Sequence, residues 1–310
     1  MRIAFWGTPR FADVVLRALV AAGRDVVGVV TQPDRPAGRG RKMQPPPVKL
    51  TAREAGIPVL QPERPWGDEF IADFRAFEPE ISVVAAYGHI LKPEVLELPR
   101  LGSFNVHASL LPKLRGAAPV NWAIIRGYVE TGVTIMRMVE RLDAGPMIAR
   151  AHCAIDERTT AGALYAELSE LGARTLLEAL GLIEAGEAVE EEQDEAEASY
   201  APKLGADDVK LDWSLPAREL DRWIRGCDPV PGSWTELAGA RVRIFAPQPT
   251  DEAAGVEPGV VVSADPRTGL AVATGSGVLR VGEVQPAGKR RMEAAEWIRG
   301  RGVTEGERFG

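Results

Sequence analysis

Cysteine is nearly absent: Cys153 and Cys227 are the only two in 310 residues, and no Cys-x-x-Cys pair occurs. That excludes a disulfide framework and a cysteine-based zinc site, and it suits a reducing cytoplasm. Histidine is as scarce. His89 and His152 have no metal-ligand spacing and read as structural, so no metal is expected. No apolar run reaches the roughly 18 residues of a membrane helix, so no membrane partner is expected. The opening Met1-Arg2-Ile3-Ala4-Phe5-Trp6-Gly7 enters a strand pattern at once, without signal-peptide architecture, and a cytoplasmic location is expected. The first strand turns on Gly7-Thr8-Pro9-Arg10 rather than Gly-x-Gly-x-x-Gly, so a dinucleotide cofactor is not supported. Ser109 lies in Ser-Leu-Leu-Pro, which is not a nucleophile elbow, and no covalent step is expected.

An excess of positive charge is missing too: the formal charge is −7. The deficit is local. Glu184 to Glu197 carries eight acids and no base, and removing them leaves +1. Such a block reads as a solvated linker or helix face. Basic residues cluster elsewhere, with Arg35, Arg39, Arg41 and Lys42 in the Pro- and Gly-rich loop Gln32 to Pro47, and Lys289-Arg290-Arg291 near the end. Guanidinium clusters suit phosphate recognition, whereas the plainer reading is a solvated surface.

A 45% hydrophobic and 26% charged composition is that of a globular protein, and the length allows two domains. Residues 2–6 and Asp25 to Thr31 read as buried strands flanking a helix that Gly23 stops, which opens a Rossmann-like parallel α/β sheet. Further strands are predicted at Pro58 to Leu60, Ile81 to Ala86, 103–107 and Gly132 to Val139, with a helix at Thr160 to Ala185. After Tyr200 the pattern changes to a short helix (Leu215 to Arg225) and short strands at Arg241 to Ala246, Gly259 to Val262, Leu270 to Ala273 and Val278 to Val284. Strands of this length and spacing predict a small OB-like β-barrel. The expected division is 1–189, an acidic linker at 190–206, and 207–310.

The chemistry centres on Phe104 to Pro119. A strand carries Asn105 and His107 two residues apart, hence on one face, into a loop with Pro112 and Gly116. A carboxamide can donate to a developing oxyanion and an imidazole can move a proton near neutral pH, a pairing suited to acyl transfer to an amine. Asp143, in the loop Leu142 to Pro146, is placed to join them if its loop reaches the same sheet end.

The run Asn105-Val106-His107-Ala108-Ser109-Leu110-Leu111-Pro112-Lys113-Leu114-Arg115-Gly116 resembles the signature of the formyltetrahydrofolate-dependent formyltransferases. Gln32 to Gly40, Thr131 to Met136, Tyr200-Ala201-x-Lys203-Leu204, Asp212-Trp213-Ser214, Pro231-x-Ser233-Trp234 and Gln285 to Lys289 narrow the resemblance to the branch acting on initiator methionyl-tRNA. The resemblance implies a Rossmann-like formyltransferase domain and an OB-like tRNA-binding domain. It implies a catalytic trio Asn105, His107 and Asp143, with Ser109, Leu110, Leu111 and Pro112 against the cosubstrate 10-formyltetrahydrofolate. It also implies tRNA contacts from Arg35, Arg39, Arg41, Lys42, Lys289 and Arg290. A monomer is expected. The alternatives are a formyltransferase for a sugar-nucleotide amine, which needs no basic arm, a formyltetrahydrofolate hydrolase, and a non-catalytic nucleic-acid-binding module, which leaves the 104–119 signature unused.

Overall fold

A computed structural model describes residues 1–37 and 42–310. The chain forms two compact units. The first comprises Met1–Pro119, Glu130–Ala154 and Tyr165–Pro202, and the second comprises Val120–Val129, Ile155–Leu164 and Lys203–Gly310.

In chain order the elements up to residue 185 are β1 (Ile3–Gly7), α1 (Arg10–Ala21), β2 (Val26–Val30), β3 (Arg35–Ala37), β4 (Lys42–Gln44), α2 (Pro47–Glu54), β5 (Val59–Leu60), α3 (Asp68–Arg75), β6 (Ile81–Ala85), α4 (Pro93–Leu96), β7 (Ser103–His107), α5 (Pro119–Ile125), β8 (Glu130–Arg137), β9 (Met147–Ala154) and α6 (Ala161–Ala185). Every residue of β1 and β6 is buried, as suits parallel strands covered on both faces. α1 turns Phe11, Val15, Leu16 and Leu19 inward, and Gly23 at φ +66° ends it in the left-handed region open to glycine.

The seven-stranded sheet runs β5-β2-β1-β6-β7-β8-β9. Pairings from β5 to β7 are parallel, and strand order reverses between β1 and β6. β8 and β9 are antiparallel additions. The sequence reading lacked β9, a sheet-edge strand whose Ala, Arg150 and His152 content carries little strand signal. It also read Gln32 to Pro47 as loop throughout, whereas β3 and β4 pair as a short ladder, Arg35 opposite Gln44. Arg39 and Arg41 lie outside the described residues.

Residues 190–202, the larger part of the stretch expected as an acidic linker at 190–206, fall within the first unit. Met147 and Glu191 exchange both backbone hydrogen bonds. Glu190 pairs with Arg137 and Glu191 with Arg150, so basic side chains of the first unit neutralise part of the acidic block.

The second unit continues with α7 (Ala217–Cys227), β10 (Trp234–Leu237), β11 (Ala240–Thr250), β12 (Val261–Asp265), β13 (Gly269–Ala273), β14 (Val278–Pro286), β15 (Met292–Glu293) and α8 (Ala294–Arg299). Its antiparallel sheet runs β10-β11-β14-β13-β12, with β15 beside β14. The terminal segment joins the two edge strands. Gly310 exchanges backbone hydrogen bonds with Glu236 on β10, while Phe309 donates to Gly259 O and Glu307 O accepts from Val261 N on the β12 side. This closure satisfies edge groups that would otherwise offer a template for another chain.

Candidate active site

β7 delivers two of the three predicted catalytic side chains. Asn105 is half-buried, and among the described residues its carboxamide has no hydrogen-bond partner. His107 is 5% exposed. Its Nε2 lies 3.0 Å from the carbonyl oxygen of Leu114. A carbonyl only accepts, so this contact puts the ring hydrogen on Nε2 and leaves the Nδ1 lone pair free.

Nδ1 faces Asp143, with Oδ2 at 3.7 Å. That is longer than a hydrogen bond, and close enough for direct attraction once the ring holds a second proton. The route by which Asp143 gets there differs from the one expected of a loop at the end of a parallel strand. Because β8 is antiparallel to β7, Arg137 at its end pairs beside Phe104, and Thr134 beside His107. The following loop must fold back along the sheet to reach the imidazole. Asp143 makes the reversal at φ +48°, an unusual conformation for a non-glycine residue.

Several hydrogen bonds hold that reversal. Asp143 Oδ2 accepts from Gly116 N at 2.8 Å. Gln193 Nε2 donates to the carbonyl oxygens of Asp143 and Gly145, both at 2.8 Å. Gln193 Oε1 accepts from Arg115 Nε at 3.0 Å and Nη2 at 2.7 Å. Gly116 sits at φ +116°, and a Cβ there would lie 2.8 Å from Ala201 O, so only glycine fits.

Arg115 is fully buried and pairs with Glu195 at 2.8 Å. Hydrogen bonding from Arg115, then from Arg141, holds the Glu195 carboxyl down to about 2. A carboxylate so lowered contributes its stabilisation in full above the ordinary value near 4.5 and loses it as pH falls through about 2. The pair therefore stays formed at neutral pH.

The predicted cosubstrate segment is a tight turn. Ser109 is fully buried and donates from Oγ to Lys113 O at 2.6 Å. Thr134 Oγ1 donates to Ser109 O and accepts from Leu111 N. Leu111 packs with Met136 and Met147. Pro112 is buried, and Leu110 is the most open of the four. A ligand at this turn would meet backbone and Leu110 rather than the Ser109 hydroxyl.

The predicted tRNA residues that the structure describes divide between the two units. Arg35 on β3 and Lys42 on β4 are exposed, without ion-pair partners among the described residues. Lys289 is exposed, and Arg290 pairs with Glu296 at 2.7 Å. The neighbouring Arg291 is committed internally to Asp228 and Glu283 and stacks on Phe245. Both cysteines are buried, which pushes each thiol up to about 11 and leaves neither a nucleophile near neutrality.

Sequence reasoning missed Gln193 and gave Arg115 no role. The one available signal was a lone amide within a run of acids.

The chain matches the formyl transferase family model over residues 1–180 and the formyl transferase C-terminal domain model over 203–302. It is 47% identical over 300 residues to the methionyl-tRNA formyltransferase of Desulfotalea psychrophila, covering 97% of this chain and 93% of that one. It is 46% identical over 310 residues to that of Bacillus subtilis (strain 168), covering 100% and 98%. Among solved structures, the sugar 3N-formyl transferase WlaRD superposes with a TM-score of 0.66 at 18% identity, covering 94% of this chain and 99% of that one. HypX from Aquifex aeolicus, in complex with tetrahydrofolic acid, superposes with a TM-score of 0.66 at 20% identity. It covers 96% of this chain, which spans only 46% of HypX. These structural likenesses show the fold, while the identities near 46% along the chain show the lineage: the chain belongs to the methionyl-tRNA formyltransferase family.

Proposed function

We propose that the protein transfers the formyl group of 10-formyltetrahydrofolate to the free amine of methionine on initiator tRNA, in translation initiation, with Asn105, His107 and Asp143 at the reacting centre. The observation that carries this reading is the 3.7 Å approach of Asp143 Oδ2 to the free ring nitrogen of His107. The formyl donor is a cosubstrate, and no metal is needed for the step.

The neutral amine attacks the formyl carbon, forming the new C–N bond and a tetrahedral oxyanion. Asn105 donates to that oxygen from an uncommitted carboxamide, a contact of a kind whose loss costs about 10²–10³ in rate. His107 accepts the amine proton at Nδ1, since Nε2–H is held by Leu114 O. Asp143 stabilises the resulting imidazolium, and the proton passes to N10 as the C–N10 bond breaks. Atoms and electrons balance without an acyl-enzyme.

The direct test is incubation with labelled 10-formyltetrahydrofolate and either charged initiator tRNA or an amino-sugar nucleotide. Label in formylmethionine supports the reading, and label in the sugar nucleotide alone contradicts it.

For the tRNA, the exposed cations of β3 and β4 supply phosphate contacts, together with Arg39, Arg41, Lys289 and Arg290. Each phosphate neutralised adds about 0.7–0.9 to the logarithmic salt slope, so Arg35→Ala with Lys42→Ala should flatten it by about 1.4–1.8. Titrations across a range of salt concentrations measure this, and an unchanged slope removes β3 and β4 from the interface.

A further inference from the structure

We infer that Gln193 is a positioning residue for the reaction, setting the place of Asp143 against His107. The inference rests on the reading of those two residues given above and adds a member that touches neither substrate.

Gln193 is 8% exposed, and its carboxamide bridges two loops far apart in sequence. Its oxygen takes both hydrogen bonds from Arg115 of the loop after β7. Its nitrogen gives one hydrogen each to the Asp143 and Gly145 carbonyls of the reversing loop. Every donor and acceptor of the amide is thereby used, and only an amide offers two acceptor sites on one side and two donors on the other. An amino acid without a polar tip would leave the buried Arg115 guanidinium and two carbonyls short of partners.

The same segment fixes the imidazole. Ser199 Oγ accepts from Leu114 N at 2.9 Å, and Leu114 O holds His107 Nε2. Arg115 N donates to Ser199 O, and Ala201 N donates to Arg115 O. Residues 193–201 therefore hold one partner through Gln193 and the other through Ser199. Asp143 stands at a positive φ that costs energy unless its surroundings hold it, and Gln193 grips its carbonyl directly.

Two substitutions separate positioning from stability. Gln193→Ala removes the whole bridge. Gln193→Glu keeps the acceptors for Arg115 and turns the other side into an oxygen facing two carbonyls, so it releases the Asp143 loop while the buried guanidinium stays paired. Single-turnover formyl transfer, with donor and charged tRNA saturating, gives a rate per folded site and an amplitude that counts folded sites.

Both variants should lose up to about 10²-fold in rate, as a misplacement near 1 Å can cost, with KM for donor and tRNA little changed. In an Asp143→Ala background neither should cost anything further. Wild-type rates with reduced amplitudes, or an undiminished loss in the Asp143→Ala background, would overturn the inference. A wild-type rate in Asp143→Ala alone would instead bring down the catalytic reading beneath it.

Discussion

His107→Ala is expected to fold and bind both substrates while losing about 10²–10⁴ in kcat, the range attributed to a positioned general acid–base group. The side chain sits on β7 with its Nε2 committed to Leu114 O, so a single nitrogen is available to the reaction. Removing the ring deletes the acceptor for the amine proton and the donor to N10 together. The backbone of β7 stays paired with β6 and β8, which keeps the strand in place. KM for the donor should change little, since the ring acts in the transition state rather than in ground-state binding. Steady-state kinetics on charged initiator tRNA measure the loss. Raised KM with unchanged kcat would make His107 a binding residue.

Phe309→Ala is expected to cost the second unit about 3–5 kcal/mol, as buried Phe-to-Ala changes do. Phe309 is 1% exposed and stacks on Trp213 with ring centroids 5.6 Å apart, while Trp297 covers it at 6.5 Å. The same short segment joins the β10 and β12 sides of the antiparallel sheet through backbone hydrogen bonds. Losing the ring unseats that segment and frees two strand edges at once. Urea unfolding followed by tryptophan fluorescence reads the shift, and Phe309→Leu should retain more of the stability. An unchanged midpoint in Phe309→Ala would mean that the segment does not stabilise the sheet.

Much of the first unit is written locally. The apolar runs of β1 and β6, the helical spacing of α1 and the Gly23 stop are short-range signals, and the i, i+2 spacing of Asn105 and His107 follows from strand geometry alone. The approach of Asp143 is different. It depends on β8 running against β7 and on a loop that doubles back, a direction no local pattern encodes. Gln193 lies 78 positions from Arg115 and 50 from Asp143, and its acidic neighbours made the stretch read as solvated linker. The basic triplet after β14 carried a similar ambiguity. Only packing against Asp228 and Glu283 distinguishes Arg291 from Lys289 and Arg290. The sheet closure by residues 306–310 has no strand alternation to announce it, because its partners are supplied by edges remote in sequence.

The coupling between ring and carboxylate is the centre of the account, and a double-mutant cycle over His107→Ala and Asp143→Ala measures it in single-turnover formyl transfer. Groups that work as one unit are strongly non-additive. The double variant should be about as slow as His107→Ala alone. Losses that simply multiply, or a wild-type rate in either single variant, would contradict it.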